Sequence, residues 1–207
     1  MNNQLTELVF IIDKSASMAS IRDEAQDGIN KFIEDQKKLD GQARLTIVEF
    51  NSEHNVYCDR VNIKEFDKYE LKPSGFTAFY DSIGWTINHV GEQLSNEKEE
   101  DRPGLVLVTV MTDGEDNRSY EFNAEKIKQM VEHQESTYSW KFMFLCANLS
   151  DLKSVNDLSL RSGQNYKFDP RSINDTYGKM SSQASLSRQK LHSGVHASDI
   201  GDYTLND

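Results

Sequence analysis

Two stretches of the chain, Leu8–Ile12 (LVFII) and Leu105–Met111 (LVLVTVM), are apolar almost without a break, and each leads within two residues to an aspartate, Asp13 and Asp113. A strand with one wet face alternates apolar and polar residues, whereas a strand apolar at successive positions is covered on both faces. Such strands belong to largely parallel sheets, whose crossovers need a dozen or more residues and are usually helical. The rest of the sequence supplies the helices. From Ser20 to Leu39 the residues Ile21, Ala25, Ile29, Phe32, Ile33 and Leu39 recur at helical spacing, and Asp40-Gly41 follows as a stop. From Ala78 to Leu94 a second stripe holds Phe79, Ile83, Ile87, Val90 and Leu94. Leu45–Phe50 and Asn55–Val61 read as strands joined by Asn51-Ser52-Glu53-His54, a link so short that only an antiparallel pair is possible. Beyond Asp113 the pattern predicts a helix over Ala124–His133, a strand over Trp140–Cys146, a short helix over Leu152–Leu160, an edge strand over Tyr166–Phe168 and a closing helix over Ile173–Leu191. The expectation is one α/β domain over residues 1–190, a sheet with helices on both faces. Residues 191–207 have no clear period and are expected to be a tail, disordered or ordered only on a partner.

A length of 207 residues suits a single domain with a full core. With 23 Lys and Arg against 34 Asp and Glu, the net charge of −11 argues against nucleic acid as a partner, because phosphate binding draws on clustered cations that this chain lacks. No apolar run approaches the roughly 20 residues needed to cross a bilayer, and the opening MNNQLTEL is not a secretory leader. No membrane contact is expected. Two cysteines, Cys58 and Cys146, make no disulfide framework and no metal-binding pair, so a reducing, cytoplasmic setting is expected. The run Glu97–Asp101 before Pro103-Gly104 reads as a solvated loop.

In sheets of this class the functional crevice lies beyond the carboxyl ends of the central strands, where strand order reverses. Asp13 and Asp113 should be neighbours there. Asp13, Ser15 and Ser17 alternate, so an extended loop turns three oxygen-bearing side chains one way while Lys14 and Ala16 face elsewhere. A hard divalent cation such as Mg²⁺ asks for oxygen ligands, few carboxylates and several retained waters. Two hydroxyls and two carboxylates leave a coordination position open to an oxygen from outside.

The strings VFIIDKSASM (Val9–Met18), GFTAFYDSI (Gly75–Ile83) and VTVMTDGEDN (Val108–Asn117) resemble the three loops of a von Willebrand factor A domain. The resemblance covers about residues 5 to 190. It implies a Rossmann-like three-layer sandwich, with sheet order 3-2-1-4-5-6 and one antiparallel edge strand. It also implies a metal-ion-dependent adhesion site in which Asp13, Ser15 and Ser17 match the first loop, Thr77 the second and Asp113 the third. The implied ion is Mg²⁺, with Mn²⁺ as the alternative, and the implied partner is a protein offering Asp or Glu to complete the octahedron. The narrower likeness is to compact bacterial and phage single-domain members, some grouped with tellurite-resistance factors. One departure is Ala16, where many relatives have Gly; a positive φ there would strain the loop. The implied strand order sets Cys58 and Cys146 four strand steps apart, about 19 Å, so both are expected as free thiols.

Each of these residues also admits another reading. Asp13, Asp113, Ser15, Ser17 and Thr77 taken singly could be loop or helix caps. Asp81 reads as a helix-dipole residue, with a water-mediated contact to the site as its alternative role. Lys14, Asn117 and Arg118 read as solvated, with a place beside a binding face as the alternative. The stretch from Asp113 to Asn117 lacks the glycine and glutamate of a helix-loop-helix calcium loop. His192 and His196 flank Ser193-Gly194 and lack the zinc-peptidase glutamate. No phosphate-binding loop, dinucleotide fingerprint or nucleophile elbow is present, and neither serine has a histidine or cysteine beside it as base. The expectation is therefore a non-enzymatic, metal-dependent binding module. The alternatives are a phage-related or stress-related scaffold using metal-independent faces, and a Mg²⁺-dependent phosphohydrolase, against which Ser15 stands where a haloacid-dehalogenase-like enzyme has a second aspartate.

Overall fold

Six strands pair in the order β3-β2-β1-β4-β5-β6 in this computed structural model, which describes residues 1–146, 158, 165–167 and 173–205. They are β1 (Asn2–Asp13), β2 (Gln42–Phe50), β3 (His54–Asn62), β4 (Pro103–Thr112), β5 (Lys141–Cys146) and β6 (Asn165–Lys167). All neighbours run parallel except β2 and β3. The helices are α1 (Arg22–Lys37), α2 (Phe79–Ser95), α3 (Ala124–Tyr138) and α4 (Ile173–His192). The mostly parallel sheet between two helical layers is the architecture expected from the apolar runs. Apart from Leu158, the helix expected over Leu152–Leu160 lies outside the described residues.

Because β1 is central, its successive side chains feed opposite layers. Leu8, Phe10 and Ile12 join the core of α1 and α4, while Val9 and Ile11 join that of α2 and α3. Each fully buried side chain of this kind stabilises the fold by about 1.5–3 kcal/mol. Phe10 and Phe32 of α1 meet edge to face, centroids 5.1 Å apart. α1 and α4 approach closely at Gly28, where a Cβ would stand 2.0 Å from the Tyr177 ring.

Several boundaries differ from the sequence expectation. The first strand starts at Asn2 rather than Leu8, and its polar half contains Glu7, fully buried. Glu7 is held by Arg60, whose Nε and Nη2 each donate to Oε2 at 3.2 Å. Arg60 sits at φ 51° where β3 slips one residue against β2, between Leu45↔Val61 and Ile47↔Cys58. That bulge turns the guanidinium toward β1. The first helix begins two residues late, after a 3₁₀ turn over Ala16–Ile21, and α3 runs on to Tyr138, closed by Ser139 at φ 58°. Residues expected as a tail lie against the sheet: Ala197, Ile200, Tyr203 and Leu205 are buried in the same core as α1 and α4, and the Tyr203 hydroxyl is 3.2 Å from Thr109 Oγ1. Their irregular spacing fits separate gaps, which is why no period announces them.

Cys58 on β3 and Cys146 on β5 are free, and burial pushes both thiols up to about 12. Among the described residues, no helix is long and apolar enough to cross a membrane.

Candidate metal centre

Strand order reverses between β2–β1 and β1–β4, and three loops meet above that point. The first leaves β1 at Asp13. It stays in line for one residue, Lys14 N–H donating to Phe50 O at 2.7 Å, and is then tied to the second loop by Ala16 N–H to Gly75 O (3.1 Å) and Ser74 N–H to Lys14 O (2.7 Å). Gly75, at φ +80°, makes the turn that the second loop needs. Ala16 is not among the residues at positive φ, so the departure from glycine carries no backbone strain. Lys14 turns away from the crevice and pairs with Glu49 at 3.1 Å.

Inside these loops the oxygens converge. Asp13 is fully buried, its Oδ1 accepting from Ser15 N–H (2.7 Å) and its Oδ2 from Thr112 Oγ1 (2.6 Å). Ser15 Oγ stands 3.0 Å from Ser17 Oγ, which donates to Asp113 Oδ1 at 2.7 Å. Ser15 occupies the N-cap position of the 3₁₀ turn, yet its hydroxyl makes no capping bond. Thr77 is buried, and α2 is capped one residue later, at Ala78, so Thr77 is not the cap of that helix. Asp13, Ser15, Ser17, Thr77 and Asp113 are thus brought to one place.

The space between them is marked by Gly114. A Cβ there would lie 3.3 Å from Thr77 Oγ1, 3.7 Å from Ser17 Oγ and 3.8 Å from Asp13 Oδ2. One small gap beside Gly114 of the third loop therefore faces oxygens of the first and second loops, and Asp113 joins them through its hydrogen bond from Ser17; these oxygens are carboxylate and hydroxyl, the donor chemistry of a small hard cation. The electrostatics point the same way. Burial lifts the Asp13 carboxyl to about 6 despite the hydrogen bonds from Thr112 and Ser15, and the like charge of Asp113 adds to the rise. Burial also raises the Asp113 carboxyl, against the hydrogen bond from Ser17. Among the described residues no Lys or Arg is ion-paired with either. A pocket that penalises its own carboxylate charges gains from a bound cation.

The third loop is fastened to the second by residues that the sequence reading left in minor roles. Thr77 N–H donates to Asn117 Oδ1 (3.0 Å) and Asn117 N–H returns to Thr77 O (2.9 Å). Asp116 Oδ1 accepts from Phe79 N–H at 2.9 Å. Asp81 takes the N–H groups of Tyr120, Glu121 and Phe122 at 2.7–3.0 Å, so it fastens a loop rather than merely favouring a helix dipole. Thr112 and Gly114 were missed altogether. The only signal for them was adjacency to Asp113.

The von Willebrand factor type A domain family matches residues 7–174. No curated protein matches in sequence. Among solved structures, the chain is similar to the vWF domain of the type V pili tip protein Mfa5 from Porphyromonas gingivalis, with a TM-score of 0.60 at 10% identity, covering 89% of this chain and 96% of that one. It is similar to proximal thread matrix protein 1 from the mussel byssus, in a structure described as having a zinc occupied MIDAS motif, with a TM-score of 0.56 at 13% identity, covering 87% and 46%. A third is a von Willebrand factor type A protein from Catenulispora acidiphila, with a TM-score of 0.57 at 13% identity, covering 87% and 42%. The chain spans less than half the length of the last two. At these identities the likeness is one of fold.

Proposed function

The chain belongs to the von Willebrand factor type A family, and on that premise we propose that it is a metal-dependent protein-binding module. Asp13, Ser15, Ser17, Thr77 and Asp113 would hold a divalent cation, Mg²⁺ before Mn²⁺, and the partner would be a protein supplying an Asp or Glu carboxylate. The observation that carries this reading is the gap before Gly114, lined by oxygens of Asp13, Ser17 and Thr77, with Asp113 bonded to Ser17 at its side. The ion would supply a positive point that draws and orients a carboxylate; the chain's own residues would hold that point at the mouth of the crevice. Zinc in the adhesion-site motif of the byssal protein supports a divalent ion in this architecture. The preference for Mg²⁺ rests on a donor set with two carboxylates and three hydroxyls and no nitrogen or sulfur.

Binding rather than catalysis is favoured by what surrounds the hydroxyls. Ser15 and Ser17 are bonded to each other and Ser17 also to Asp113, and no histidine or cysteine is among their partners in the described residues, so neither has an activating base. Calorimetric titration of Mg²⁺ into the wild type and into Asp113→Ala tests the reading. Saturable heat is expected from the wild type alone, and its loss on chelation should release any partner that offers a carboxylate. Equal heats from the two proteins would overturn it.

A further inference from the structure

Beside the candidate centre stands a feature that coordination does not require. Phe76, the neighbour of Thr77, is 54% exposed, and Tyr120, on the loop after β4, is 81% exposed. Between them lies the Arg118 guanidinium, its Cζ 4.5 Å from the centroid of the Phe76 ring and its Nη1 donating to the Tyr120 hydroxyl at 3.3 Å. Among the described residues no carboxylate pairs with Arg118. The other side of this cluster is open to solvent.

Exposed aromatics on a loose loop would mean little. Here the backbone beneath them is fixed by the paired bonds between Thr77 and Asn117, by Asp116 on Phe79 N–H, and by the three amides gathered on Asp81. Side chains held ready on a fastened backbone lose little freedom on binding. Tyr and Arg are also the residue types that dominate protein interfaces. In a molecule of net charge −11, the candidate ion and Arg118 are two cationic points on one rim, joined by aromatic surface.

We propose that Phe76, Arg118 and Tyr120 form a second contact, selecting a protein segment that carries two acidic residues. One carboxylate reaches the centre, the other is taken by the Arg118 guanidinium, and an apolar or aromatic side chain between them lies on Phe76 and Tyr120. A guanidinium receives a carboxylate through two parallel N–H bonds, which gives this contact direction as well as charge. The inference rests on the metal-dependent reading above.

A random peptide library displayed on phage, panned against the full chain in Mg²⁺, supplies the probe. Peptides released by a chelator from the wild type are expected to carry two acidic residues with an apolar or aromatic neighbour, and those from Arg118→Ala to carry one. The tightest wild-type peptide should bind Arg118→Ala roughly tenfold more weakly, with the Mg²⁺ heat and melting temperature of that variant unchanged and partial recovery in Arg118→Lys. Equal affinity for wild type and Arg118→Ala, or chelator-sensitive wild-type peptides that carry a single acidic residue, overturns the second contact. Failure of the underlying reading is told apart because it appears elsewhere: peptides would then stay bound in chelator, or bind Asp13→Ala as well as the wild type.

Discussion

Burial lifts the Asp13 carboxyl to about 6 from the 3.8 of a solvated aspartate, so at neutral pH the metal-free protein holds a charge its surroundings disfavour. The unfolded chain releases this proton near pH 3.8 and the folded chain near pH 6. In between, the folded state binds more protons. The contribution of this group to stability is therefore whole below the lower value, and is lost as pH rises through the upper one. Asp13→Asn should make the chelated protein more stable at pH 7.5, by up to about 3 kcal/mol, with the advantage gone near pH 3.5. Added Mg²⁺ should stabilise the wild type and not the variant. Urea unfolding at the two pH values, with and without Mg²⁺, measures this; a variant less stable than wild type in chelator at pH 7.5 would refute it. The alternation of Asp13, Ser15 and Ser17 was legible because an extended loop turns every second side chain one way. Thr112 and Gly114 were not, since one contributes only the hydrogen bonds of its hydroxyl and the other the lack of a side chain, and neither leaves a pattern.

Among the elements, β1 shows most plainly where pattern stops. Its apolar half announces a strand, but its first residues, Asn2 to Glu7, are mainly polar, and Glu7 is buried only because the β3 bulge delivers Arg60 to it. A bulge is one extra residue, and nothing in the spacing of β3 marks it. Removing one partner of a buried ion pair strands the other, so Arg60→Ala should cost about 3–5 kcal/mol. Glu7→Gln in the same chain should return part of that loss, by removing the uncompensated charge. Denaturant midpoints of the single and double variants decide the matter, and a double variant weaker than Arg60→Ala would show that Glu7 has another source of support. The closing residues escaped the sequence reading for a related reason. Ala197, Ile200, Tyr203 and Leu205 are apolar at uneven intervals, and only the shared core with α1 and α4 shows what they fill.

For the whole molecule, the decisive fact is that the oxygens around Gly114 come from the ends of β1 and β4 and the start of α2. These segments become neighbours only when parallel strands have paired across long crossovers, contacts that form late because the connecting chain must first be ordered. A cation bound there stabilises the finished fold by mass action. It should slow unfolding while leaving the refolding rate nearly unchanged, since interactions absent from the transition state act on the unfolding limb. Stopped-flow chevrons in Mg²⁺ and in chelator test this, and a refolding arm that accelerates with Mg²⁺ would place the centre in the folding nucleus instead.

The loop after β4 divides its labour: Asp116, Asn117 and Asp81 fasten its backbone, while Arg118 and Tyr120 project from it into solvent. Substitution at the projecting positions leaves the fastening untouched. If Arg118 and Tyr120 meet the ligand as proposed, a lineage of such chains can trade one preference for another by drift at these two surface codons, while the residues beneath are inherited intact.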